Sequence, residues 1–230
     1  MNKVAIVTGA SGNLGQAVVA RFLAKGYTVI GTIIHNDPVA ISITHENFET
    51  RVVDLLDEMA CDEFIKSIIE KYQRIDAAVL TVGGFAMGSI AETKTVDVMK
   101  QYRLNFETTY NIARPVFIQM MKQDNGRIFM IGSRPGLDAK QGKGMTAYSI
   151  AKSSLFHLAV LMNEESAGTN VVTSIIVPST IDTLQNRKSM PGADFDKWVT
   201  PESIAGIIHY HCTGEASAIR ETIIKVYNKS

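Results

Sequence analysis

Tyr148 and Lys152 stand four residues apart in Tyr148-Ser149-Ile150-Ala151-Lys152, and Leu155, Phe156, Leu158, Ala159 and Leu161 continue the stretch with helical spacing. Four helical residues turn by about 400° and rise by about 6 Å, which puts the phenol and the ammonium on one face. A free phenol titrates near ~10 and exchanges protons poorly at neutral pH; a neighbouring ammonium favours the phenolate and lowers that value. Read this way, the pair passes a proton to or from a substrate oxygen. Two ordinary surface or packing residues would give the same spacing, so its weight rests on the motifs on either side of it in the chain.

The elements that must position the pair come from one chain of 230 residues with a formal net charge of zero. That length predicts a single domain over residues 1–230 with a substantial core. Balanced charge gives no reason to expect a nucleic acid or an anionic membrane as partner. No apolar run approaches the ~20 residues of a membrane helix, and the short N-terminal run reads as a buried strand, not a leader. Cys61 and Cys212 lie outside any C-x-x-C pair, as buried thiols of a reducing cytoplasm would. The five histidines are scattered; His209 and His211 are too close for a helical ligand pair and read as surface residues, so no metal is expected.

Strands and helices alternate throughout. The predicted strands cover residues 4–7, 28–34, 51–54, 77–81, 127–131, 171–177 and 222–227. The predicted helices cover 16–25, 57–72, 95–121, one running on from Tyr148, and 201–210, with a kink at Pro115. Residues 134–145 read as a Gly- and Lys-rich loop, and 179–200 as irregular or part helical. This order predicts an α/β fold, a Rossmann-type doubly wound parallel sheet of about seven strands with helices on both faces. Thr8-Gly9-Ala10-Ser11-Gly12-Asn13-Leu14-Gly15 falls between the first strand and the first helix. There glycines permit a tight turn and close approach to a pyrophosphate, and the helix N-terminus offers free N–H groups; a plain βα turn is the bland alternative.

In this order the motifs resemble the short-chain dehydrogenase/reductase family over nearly the whole chain. Thr8, Gly9, Gly12 and Gly15 match its glycine loop, with Gly12 one place earlier than in the usual T-G-x-x-x-G-x-G. Val82-Gly83-Gly84 stands where the family has Asn-Ala-Gly, and Pro178-Ser179-Thr180-Ile181-Asp182-Thr183 stands at its P-G-x-x-x-T. The resemblance implies a catalytic set of Asn105, Ser133, Tyr148 and Lys152. It implies cofactor contacts from the loop (Thr8, Gly9, Ser11, Gly12, Asn13, Leu14, Gly15), from Asp54 and Leu55 after the third strand, and from Gly83. Tyr148, Lys152, Pro178, Thr180, Ile181 and Thr183 complete that set. The alternatives are ordinary ones: a helix cap for Asp54, a turn or capping serine for Ser133, a polar helix face for Asn105. Asn186 to Pro191, Asp194-Phe195 and Trp198, with Val82-Gly83-Gly84-Phe85, also resemble the dihydropteridine reductase branch.

The reaction implied by the resemblance is hydride transfer between a nicotinamide and a substrate C=O or C=N carbon. Tyr148 would be the acid or base, Lys152 would lower its pKa, and Asn105 would complete a water relay. Ser133 would steady the developing oxyanion, a donor of a kind often worth about 2.7–4 kcal/mol. An NAD-selective acidic residue is missing at Ile33, the expected end of the second strand, although Asp37 is close; His35 and Asn36 suit either cofactor. NADP is therefore favoured, with NAD open. The other readings are a catalytically silent dinucleotide-binding sensor or scaffold, and a sugar-nucleotide epimerase or dehydratase suggested by the glycine spacing. Partners are expected to be a small-molecule substrate and a second copy, as homodimer or homotetramer, through apolar residues such as Phe117, Ile118 and Leu161. Residues 184–200 are expected to form a lid in which Arg187 and Lys188 meet cofactor phosphates. Phe85, Met87, Met145 and Met190 are candidates for the pocket wall, or for plain packing.

Overall fold

Val4 and Ile6 join one apolar cluster, and Ala5 and Val7 join another. That alternation makes β1 (Val4–Thr8) a strand buried on both faces. The computed structural model describes residues 2–36 and 41–229. Around β1 lie β2 (Thr28–Ile33), β3 (Phe48–Val52), β4 (Ala77–Leu80), β5 (Asn125–Ile131), β6 (Asn170–Pro178) and β7 (Ile223–Val226), all parallel, in the order β3-β2-β1-β4-β5-β6-β7. Helices α1 (Asn13–Leu23) and α8 (Pro201–Tyr210) cover one face. The other face carries α2 (Glu58–Tyr72), α4 (Thr108–Lys122) and α6 (Thr146–Glu165). This is the doubly wound α/β sheet that the alternation of elements predicts. The order reverses between β1 and β4, and such a switch point opens a crevice at the carboxyl ends of the strands.

Several elements differ from their predicted form. β3 lies at Phe48–Val52, not 51–54, because it pairs with β2 from Val29↔Phe48 to Ile33↔Val52 as a largely exposed edge whose polar residues hide the strand pattern. The predicted helix 95–121 is α3 (Thr95–Tyr102), a π turn (Arg103–Glu107) and α4. The break falls at the π turn, while α4 runs on through Pro115. The Thr108 amide reaches back to the Arg103 carbonyl, and the Thr108 and Thr109 hydroxyls donate to the Leu104 and Asn105 carbonyls at 2.8 and 3.2 Å. Within 134–145 there is a short helix, α5 (Arg134–Leu137), and a 3₁₀ turn (Ala139–Gly142). Helix α7 (Leu184–Ser189) occupies the segment after β6. His209 and His211 are half-buried, not surface residues: His209 packs edge-on against Phe22 and Tyr27, and His211 against Phe129. Burial pushes the Cys61 and Cys212 thiols up to about 12, so neither is a thiolate at neutral pH.

Candidate active site

The glycine loop turns on two of its glycines. Gly9 has φ +63°, a left-handed conformation suited to glycine, and a Cβ on Gly15 would lie 2.1 Å from the Gly9 carbonyl oxygen. Gly12 is the N-cap of α1 and bears no side chain to occupy the first-turn amides. The loop therefore fits a pyrophosphate: backbone can approach closely, and α1 directs its open N-terminus there. Leu14 anchors in the core, Asn13 is exposed and Ser11 is buried. Thr8 ties the loop to the end of β4, accepting the Thr81 amide at 3.0 Å and the Thr81 hydroxyl at 2.6 Å. Ile33 ends β2, followed by exposed Ile34, His35 and Asn36; Asp37 lies outside the described residues.

Asp54 is exposed and accepts the Leu56 amide at 2.9 Å, whereas the N-cap of α2 is Asp57. Leu55 buries its side chain, and its carbonyl accepts the Asn111 amide at 2.9 Å. Beyond β6, Ser179 donates to the Tyr227 carbonyl at 2.9 Å. Thr180 and Ile181 are half-buried and bonded along Val199. Thr183 caps α7 by accepting the Asn186 amide at 3.1 Å. Arg187 forms a two-point ion pair with Asp182, at 2.6 and 2.7 Å, and lies over the Phe195 ring. In this arrangement the Asp182 carboxylate meets the fork of the guanidinium.

Tyr148 sits in the first turn of α6, and Ser133 follows β5 as the N-cap of α5. Their side chains are hydrogen-bonded, and the Ser133 hydroxyl also accepts the Gly136 amide at 3.2 Å, so the capping role and the site role coincide. Lys152 lies one turn after Tyr148, buried, and donates to the Ile131 carbonyl at 2.7 Å. A Cβ on Gly136 would lie 2.6 Å from the Lys152 Cβ, so only glycine lets α5 pack so closely over the lysine. Asn105, fully buried in the π turn, accepts the Gly84 amide at 3.1 Å and returns a bond to the Gly84 carbonyl at 3.0 Å. At Gly83 a Cβ would lie 2.7 Å from Asn105 Oδ1 and 3.1 Å from Lys152 Nζ. Ser133, Tyr148, Lys152, Asn105 and Gly83 thus form one cluster.

Its electrostatics differ from the sequence expectation. Burial raises the Tyr148 phenol above its ordinary value, opposed by the Ser133 hydrogen bond. The lysine is turned to the Ile131 carbonyl, and burial brings it down to about 8. Beside the cluster opens a cavity of about 640 Å³ walled by Phe85, Met87, Leu104 and Ala147. Phe85 meets the Tyr148 ring edge-on at 5.1 Å. Gln101 also lines this cavity and is bonded to Asn105; the sequence reading missed it, although its place four residues before Asn105 puts both on one helix face. Among the described residues no group of three or more potential ligands gathers to hold a metal ion, and no helix is long and apolar enough to cross a membrane.

Comparison with known proteins decides the family. The profile of the short chain dehydrogenases matches residues 3–193. The chain belongs to the short-chain dehydrogenase family. Among similar short-chain dehydrogenases and related reductases, the 3-oxoacyl-(acyl-carrier-protein) reductase FabG of Thermotoga maritima is 23% identical over 237 residues, covering 97% of this chain and 96% of that one. The acetoacetyl-CoA reductase of an Acinetobacter strain is 26% identical over 183 residues, covering 76% and 73%. The crystal structure of a short-chain dehydrogenase/reductase family oxidoreductase from Burkholderia thailandensis shares the fold with TM-score 0.86 at 24% identity, covering 99% and 92%. As a short-chain dehydrogenase, the protein is an NAD(P)-dependent oxidoreductase that transfers a hydride.

Proposed function

We propose that the Ser133–Tyr148–Lys152 cluster with Asn105 is the catalytic set, acting on a small substrate whose C=O or C=N bond is reduced or formed. The observation that carries this reading is the Ser133–Tyr148 hydrogen bond beside a cavity lined by apolar residues such as Phe85 and Leu104 and by polar ones such as Gln101 and Lys100. The bound nicotinamide supplies or accepts the hydride. In reduction the C=O pair moves onto oxygen, where the Ser133 hydroxyl donates to the growing negative charge and Tyr148 gives up its proton. Oxidation runs the same proton back to Tyr148. Lys152 as an ammonium opposes the burial that holds Tyr148 in its neutral form. Asn105 belongs to the set through its grip on Gly84 and its approach to Lys152 at Gly83. The binding set is the glycine loop, Asp54, the Leu55 backbone, Gly83 and the turn Pro178, Thr180, Ile181 and Thr183, with Tyr148 and Lys152. NADP is favoured because β2 ends in Ile33 with no acidic residue at that position.

The protein works as one domain in the cytoplasm, as a homodimer or homotetramer. Ile118 on α4 and Leu161 on α6 are exposed and supply the apolar face; Phe117 instead packs on the core. A monomer mass in light scattering at micromolar concentration removes that assembly. The catalytic reading is tested by measuring loss of reduced-cofactor absorbance with NADH and NADPH against 3-oxoacyl thioesters, simple ketones and quinonoid pterins. Turnover of one class, faster with NADPH, is expected. Binding of the cofactor without turnover of any carbonyl or imine would instead favour a silent sensor.

A further inference from the structure

We propose that Gln101 is a positioning residue for the reaction: through Asn105 it holds Gly83-Gly84-Phe85 against Tyr148 and Lys152. This role rests on Ser133, Tyr148 and Lys152 being the catalytic set. Asn105 Nδ2 carries two hydrogens and faces three acceptors: the Gly84 carbonyl at 3.0 Å, the Gln101 carbonyl at 3.1 Å and Gln101 Oε1 at 3.0 Å. On its other side Asn105 Oδ1 accepts the Gly84 amide at 3.1 Å. The amide has only one orientation that matches these partners, and among the described residues Gln101 gives it its side-chain acceptor. Gln101 is itself buried, at 5% exposure, on the wall of the cavity that Phe85 and Ala147 line. A buried neutral amide is costly unless bonded. Here its oxygen is spent on Asn105.

The orientation matters because Asn105 Oδ1 approaches Gly83 from the same side as Lys152 Nζ. The negative end of the amide dipole therefore lies toward the lysine and favours its ammonium. Among the described residues, the Ile131 carbonyl from β5, Gly83 after β4 with Asn105 Oδ1 beside it, and Gly136 from α5 lie against Lys152; Tyr148, a titratable group, stands one turn earlier on α6. Loss of the Gln101 oxygen leaves Asn105 held by backbone groups alone, the Gly84 amide and carbonyl and the Gln101 carbonyl, which loosens Gly84 and Phe85 and lets Asn105 Oδ1 draw away from Lys152.

The test compares kcat and KM across pH for wild type, Gln101→Leu and Gln101→Glu, on the substrate found in the carbonyl and imine screen. Gln101→Leu is expected to lower kcat by about tenfold or more, within the about hundredfold that a misplacement of about 1 Å costs, and to move the alkaline limb to lower pH. Gln101→Glu keeps an acceptor of the same length; it should recover most of kcat and move that limb to higher pH. A purely structural glutamine would change KM or stability and leave the limb in place. Wild-type kcat and pH profile in Gln101→Leu overturn the proposal, and if that variant does not fold, an unmoved limb in Gln101→Glu does so. Tyr148→Phe run alongside separates the two readings: if it retains full turnover the catalytic reading fails, whereas an inactive Tyr148→Phe with an unaffected Gln101→Leu sinks only the role of Gln101.

Discussion

Lys152 Nζ donates to the Ile131 carbonyl at 2.7 Å, which fastens α6 to the end of β5 and leaves the ammonium buried. Burial depresses Lys152 from 10.5 to about 8. The unfolded chain then holds more protons between those values, so stability rises with pH there. The stabilising share of this group is complete above 10.5 and is lost as pH falls through about 8. Urea midpoints measured from pH 7 to pH 10.5 should climb in the wild type relative to Lys152→Met, which carries no titrating group at this place. Parallel curves for the two proteins would contradict the assignment.

Tyr148→Phe removes the transferable proton but keeps the ring that meets Phe85 edge-on at 5.1 Å. Turnover should fall by about 10²-fold to about 10⁴-fold, the usual span for a positioned acid or base, with cofactor binding nearly intact because the rest of the binding set is untouched. Steady-state rates and a fluorescence titration of the reduced cofactor measure the two effects separately. Unchanged turnover would assign the acid elsewhere.

Gly15→Ala would put a methyl group 2.1 Å from the Gly9 carbonyl, with backbone on both sides of the contact. Neither partner is the end of a flexible side chain, so the loop itself must shift. Cofactor affinity is expected to fall by at least about tenfold, equivalent to about 1.4 kcal/mol. Gly192→Ala, at a site with nothing within 4 Å, is the matched control and should bind as the wild type does.

Arg187 is paired with Asp182 and stacked on Phe195, which ties α7 to the turn after β6 and to the 3₁₀ turn Phe195–Lys197. If residues 184–200 act as a lid, Arg187→Ala should speed hydrogen exchange across Leu184–Ser189 in the cofactor-free protein and leave the global unfolding midpoint in place. Cofactor should slow that exchange in the wild type. Equal exchange in all three samples would make the segment a fixed cover.

Much of this protein is written in local sequence. The short continuous apolar run Val4 to Val7, the glycines around α1, and the four-residue interval from Tyr148 to Lys152 are each local over a few residues, so strand, loop and helix face are legible without any tertiary contact. The resemblance to a family then identified Ser133 and Asn105. Local sequence disclosed a third strand but set it at 51–54, because the exposed polar residues of β3 (Phe48–Val52) take their register only by pairing with β2. Tertiary structure alone decided the partners of the charged groups. Arg187 meets Asp182 because a bidentate carboxylate lies within reach after β6. Lys152 turns to the Ile131 carbonyl because it is buried against β5 and α5, and the half-buried phenol of Tyr148 is raised and not lowered because its surroundings withdraw it from water. Spacing determines which side chains share a face. How far those faces are withdrawn from water, and which dipoles meet them there, depends on elements brought together from distant parts of the chain.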